Sequence, residues 1–171
     1  IKVDSKNLKQ VDDFIHLGGI ISDDASTDKD VQRRNGLACG VMQSLAPVRR
    51  SKAISTLTKV KVYETLVLSV LLYISETWAL KESTKKKLRV FEMNCLRKIK
   101  GVTRRNTVRN TEIRRELKVE TDVIQRIQRR RLRYFGHVMW MSGERLPAIA
   151  FSGNVHGSRK RGRPKKRWED N

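Results

Sequence analysis

"VKVYETLVLSVLLYISETWAL", residues 60–80, is the most apolar stretch of the chain, and its reading decides the fold. The spacing predicts a helix over roughly Lys52–Ile74. It is amphipathic at first and apolar almost all round after Tyr63, so its second half belongs in a core. "SETW" (75–78) breaks the pattern. The apolar run Leu66–Ile74 falls far short of the ~20 residues that cross a bilayer, and the N-terminus has no signal-peptide pattern. No membrane is expected as a partner.

Further helices flank this one. Val31, Ala38, Val41, Met42 and Leu45 share a helical face until Ala46-Pro47. Ser26, Thr27 or Asp28 can cap its start within the polar turn "SDDASTD". Downstream, Ser83 or Thr84 can cap a helix in which Leu88, Phe91, Cys95 and Ile99 recur at helical spacing, with Gly101 as the stop. A basic loop, "TRRNTVRNT", leads to a short helix with Ile113 and Leu117. Thr121 or Asp122 opens the last strong helix, with Ile124, Ile127, Phe135 and Val138 on its apolar side. From Ser142 onward periodicity gives way to Gly, Pro and polar residues, as in a linker or flexible arm.

The start is the convincing β region. "IKVD" and "VDDFIHLGGIIS" flank "SKNLKQ", which predicts a hairpin whose second strand carries Phe14, Ile15, Leu17, Ile20 and Ile21. Gly18-Gly19 interrupts that strand, as at a bulge or close backbone approach. The expected fold is therefore mainly α, with a short N-terminal β-hairpin. A helical bundle, a basic helical segment and a flexible basic tail follow it. The divisions fall at 1–24, 25–101, 102–141 and 142–171.

Charge is unevenly spread. Residues 1–40 hold six basic and seven acidic side chains, whereas residues 41–171 hold 32 and 11, a surplus of 21 against a whole-chain net of +20. Concentrated surplus points to a polyanionic partner, and nucleic acid leads because phosphate contacts use many Lys and Arg together. Cys39 and Cys95 have no CxxC partner and read as small apolar residues.

Catalytic patterns are weak. Asp12-Asp13 is the sort of acidic pair that holds two metal ions with hard oxygen ligands. Asp23-Asp24 is a second such pair, and its presence favours loop composition. His16, His137 and His156 have no Cys, Asp or Glu at metal-ligand spacing, and no phosphate-binding glycine loop is present. No catalytic or metal residue is assigned.

Binding patterns are stronger. Arg126, Arg129, Arg130 and Arg133 follow at helical spacings, and no acid lies between Asp122 and Glu144. Such a stripe suits a phosphate backbone, although it also fits an ordinary solvated face. Tyr134 and Trp140 can stack on bases, but single aromatics beside an apolar face are more often core.

Five segments in order carry a resemblance: "FIHLGGIISDDASTDKDVQRR" (14–34), "VKVYETLVLSVLLYISETWAL" (60–80), "LRVFEMNCLRKIKGV" (88–102), "RRRLRYFGHVMWM" (129–141) and "GSRKRGRPKKRWED" (157–170). Together they resemble the region downstream of the catalytic Asp pair in reverse transcriptases of non-LTR retrotransposons, over almost the whole chain. The resemblance implies that Phe14, Leu17 and Gly18 belong to the last palm strands near the primer terminus, a primer-grip-like element. It implies a thumb in the helices that follow and a nucleic-acid-binding extension beyond them. The catalytic motif and its Mg2+ would lie upstream, so no cofactor is expected here and the chain alone should be inactive. It starts on Ile1 and stops soon after Trp168, which reads as a fragment. Phosphate contacts are expected at Arg33, Arg34, Arg49, Arg50 and Lys52. The partners implied are an RNA template, a DNA primer or target duplex, and the palm and fingers of the same polyprotein. The location implied is nuclear, with assembly on RNA in the cytoplasm. The sequence departs from the family pattern at His16 (usually aromatic), Ile74 (commonly Gly) and Trp140 (often basic).

The tail adds Arg159, Lys160, Arg161, Arg163, Lys165, Lys166 and Arg167. Arg161-Gly162-Arg163-Pro164 is the core of an AT-hook, whose extended segment lies in a narrow A·T minor groove. The same cluster fits a nuclear localisation signal. Two other readings stand beside the polymerase: a stand-alone DNA-binding protein derived from a retroelement remnant, and a helical RNA-associated structural protein.

Overall fold

The computed structural model describes residues 11–153, with Gly162 and Trp168 beyond them and the backbone at Lys2, Val3, Lys6 and Asn7 before them. In chain order the strands are β1 (Lys2–Val3), β2 (Lys6–Asn7), β3 (Asp13–His16) and β4 (Gly19–Ser22). The helices are α1 (Asp28–Ser44), α2 (Ala46–Arg50), α3 (Thr56–Val62), α4 (Leu68–Leu71), α5 (Glu82–Lys100), α6 (Asn110–Glu116), α7 (Val123–Met139) and α8 (Leu146–Ser152). The fold is mainly helical, with a short antiparallel hairpin at its N-terminal end.

The apolar run at 60–80 is helical but not one straight rod. Ser55 caps α3 by accepting the Thr58 amide at 3.1 Å, four residues into the span expected to be helical. Between α3 and α4 the chain makes a π turn, Tyr63–Val67. A π turn inserts one residue and rotates the buried stripe. Here it brings Tyr63, Val67, Leu68, Leu71 and Leu72 inward together against α1, where a sequence apolar all round offered no single face. The helix ends at Leu71, and in the turn that follows Ile74 has a left-handed φ of 63°. That conformation is costly for a β-branched residue.

The hairpin differs from expectation. The described part of "IKVD", Lys2–Val3, pairs with Lys6–Asn7 and not with the strand at 11–22. There β3 pairs with β4, with His16 opposite Gly19. Leu17 and Gly18, at φ of 46° and 81°, form the two-residue connection. Two successive positive φ values match the twist of a tight hairpin, so Gly18 serves a turn rather than a bulge.

Helix ends mostly follow the sequence signals. Gly101 closes α5 at φ 78°, returning its amide to Arg97 O at 2.9 Å. Asp122 caps α7 in a reciprocal box with Gln125. Three ends differ. The chain re-enters a helix at α2 because Pro47 falls in its first turn, where no amide donor is needed. The α5 helix starts at Glu82, since the Thr84 hydroxyl donates to Asp28 Oδ1 at 2.7 Å instead of capping. The segment read as a linker from Ser142 contains α8, with Phe151 edge-on to Phe135 at 5.5 Å.

One core runs from Val31 to Ile127. Ile113, Leu117, Val119 and Val123 lie in it beside Leu88, Leu96 and Ile99, so residues 102–141 share the core of residues 25–101.

Candidate nucleic-acid interface

Buried Asp30 anchors the hairpin. Its Oδ1 accepts the Ile20 amide at 3.1 Å and its Oδ2 accepts Trp78 Nε1 at 2.7 Å, joining β4, α1 and the end of the apolar run. Arg33 donates to Gly18 O at 2.7 Å, and Arg34 donates to the same carbonyl. The Arg34 guanidinium lies 4.3 Å from the centroid of the Tyr73 ring, and the Tyr73 hydroxyl donates to Leu17 O at 3.1 Å. Arg34 is only 7% exposed. Arg33 and Arg34, both expected at phosphates, here form a clamp on the hairpin turn. Its carbonyls point away from the ladder, and guanidinium groups are their strongest available donors. The clamp leaves Phe14 and Leu17 out in solvent, Leu17 at 76% exposure, while the Gly18 carbonyl faces inward.

A second buried polar centre seats α7. Glu92 is fully buried and accepts Arg114 and, at 3.2 Å, the Val123 amide. Burial raises the Glu92 carboxyl above its ordinary range, against the pull of Arg114. Beside it Tyr63 is raised well above its ordinary value, and burial pushes the Cys95 thiol up to about 12. Neither group is poised to ionise, so this is packing chemistry rather than a nucleophile.

The arginine stripe of α7 divides in two. Arg126 pairs with Glu64, and Arg130, though still exposed, donates to Leu72 O at 2.9 Å, so both are tethered to the π turn and the end of the apolar run. Burial also lowers the affinity of Arg131 for its proton. Arg129 and Arg133 face solvent. After α1, Arg50 and Lys52 are exposed and Arg49 is half-buried. The expected tail contacts at Arg159, Lys160, Arg161, Arg163, Lys165, Lys166 and Arg167 lie outside the described residues.

A basic groove escaped the sequence reading. Lys86, Arg89, Arg97 and Arg104 rim a 540 Å³ depression floored by Val90 and Met93 on the outer face of α5, with Glu82 at one end. Arg97 and Arg104 are oriented by the neutral oxygens of Asn110 (2.6 Å) and Asn94 (3.3 Å), so their charge is uncompensated by these partners. The signal was the spacing 86, 89, 93, 97 on one helix face. Arg104 joins only because the chain folds back after Gly101.

The two aromatics named for base stacking separate. Tyr134 stands edge-on to Trp168 at 6.2 Å, and Trp168 Nε1 donates to Glu76 O at 2.6 Å. Trp140 is 94% exposed. As for metals, Asp13 is occupied by Lys29 at 2.7 Å and Ser22 at 2.8 Å, which lowers its proton affinity. Among the described residues no three His, Cys, Asp or Glu side chains are grouped to hold an ion. Nor is any described helix long and apolar enough to cross a membrane. Comparison with protein-family models, curated proteins and solved structures finds no match for this chain.

Proposed function

We propose that this chain grips nucleic acid by its backbone, as the thumb and C-terminal part of a non-LTR retrotransposon reverse transcriptase. The observation that carries this reading is the outer face of α7. Arg129 and Arg133 stand in solvent there, on a segment without an acid from Val123 through Gly143. A solvated face normally mixes signs, whereas a phosphate-binding face does not. The groove on α5 adds a second basic surface, in which Arg89 is paired with Asp122 while Arg97 and Arg104 meet only neutral side-chain oxygens.

In this reading the catalytic aspartates and their Mg2+ belong to an upstream palm, and no chemical step runs through residues of this chain. Its contribution is position. Phosphoryl transfer needs in-line geometry, and a displacement of ~1 Å can cost ~100-fold in rate. Arg33, Arg34 and Asp30 hold the hairpin rigid so that Phe14 and Leu17 meet the primer end. Helices α5 and α7 hold the RNA template and DNA primer, or a target duplex. The same assignment places the protein in the nucleus after assembly on RNA.

The test is a gel-shift titration of the full chain against an RNA–DNA primer–template at several salt concentrations. Affinity should fall steeply with salt, with a log–log slope of roughly 0.9 per neutralised phosphate. A flat dependence, or no binding at low salt, sinks the proposal.

A further inference from the structure

Trp140 closes α7, and its indole is 94% exposed. That is unusual for a residue type that is highly buried on average. The other two tryptophans are engaged: Trp78 is fully buried on Asp30, and Trp168 is docked on Glu76 O. Trp140 shares a shallow 470 Å³ depression with His137, Met141, Ser142 and Arg145. Arg129, Arg133 and His137 lead to it at four-residue spacing, all exposed, along about 12 Å of one helix edge. Glu144 is the nearest acid in sequence, and it lies past the helix end.

From this juxtaposition we infer that Trp140 is a stacking platform for an unpaired nucleobase. The phosphates on either side of that base lie against Arg133, His137 and Arg145. An indole offers every base a π-face, and a cationic edge holds the strand in place, which is how single strands are bound without sequence preference. A paired base keeps its faces inside the stack, so this end of α7 selects single-stranded over duplex nucleic acid. The inference rests on the nucleic-acid reading above and adds to it which strand this face receives.

The test uses the full chain, an oligothymidylate and a DNA duplex of equal length. Because Trp140 is exposed and bears no core contact, Trp140→Ala should fold normally. It should weaken oligothymidylate binding by about five- to a hundred-fold, with an unchanged salt slope, and leave duplex binding unchanged. Trp140→Phe should retain most of the affinity while abolishing the quenching of tryptophan fluorescence that the oligonucleotide causes in the unaltered chain. If Trp140→Ala weakens neither probe, or weakens both equally, the platform is disproved and the backbone-gripping reading stands. If the unaltered chain binds neither probe at low salt, both fall together.

Discussion

Arg33-Arg34 on α1 and the arginines of α7 look alike in sequence and are used in opposite ways. The first two turn onto the Gly18 carbonyl and hold a strand turn. On α7, Arg126 and Arg130 are tethered to Glu64 and to Leu72 O while Arg129 and Arg133 keep their charge in solvent. The difference arises from what stands within reach. A tight turn with both φ values positive leaves its carbonyls to side-chain donors, and the end of the apolar run offers Leu72 O, which Arg130 shares with Ser75. Basic residues far from such ends stay available to a polyanion. A stripe of arginines is therefore not one surface until the nearby backbone has taken its share.

The largest expected effect is at the anchor of the first region. Asp30→Ala orphans the Ile20 amide and the Trp78 indole nitrogen in a buried site, and should cost on the order of 3 kcal/mol in urea unfolding. A loss below ~1 kcal/mol would mean that the hairpin is not held through this carboxylate. Next comes the direct contrast. Arg34→Ala should cost about 2 kcal/mol of stability through the lost carbonyl bond and the contact with Tyr73, with little change in salt slope. The double substitution Arg129→Ala, Arg133→Ala should leave stability within ~0.5 kcal/mol and reduce the salt slope by roughly 0.9 per lost phosphate contact. Interchanged outcomes would overturn the division of roles.

The smallest effect concerns pH. Burial raises the Glu92 carboxyl in the folded chain, so its favourable share of stability is complete below the unfolded value of ~4.3 and is lost as pH rises through the folded value. Glu92→Gln removes that dependence. Stability of the unaltered chain should decline relative to the variant between pH 4 and neutrality, as read by chemical denaturation at each pH. Parallel curves would show that Arg114 fully compensates the buried charge.

Much was legible in the residues because it depends on local chemistry. The spacing 88, 91, 95, 99 marked the buried stripe of α5, Gly101 its end and Asp122 the start of α7. The absence of acids along α7 marked a cationic surface. The misses share a cause. Pairing of β3 with β4, the π turn, and docking of Trp168 rather than Trp140 each depend on partners distant in the chain. The groove on α5 needed Arg104 to return beside Asn94.

Neighbours a few residues apart account for the helical class, for the helix ends written in Gly101 and Asp122, and for the location of the charge surplus. Which arginines are held by carbonyls and which face water, and which tryptophan stays bare, emerged from packing between distant segments. Those outcomes depend on competition for hydrogen bonds and buried space between segments as much as 92 residues apart, as Trp168 and Glu76 are, and no local pattern encodes it.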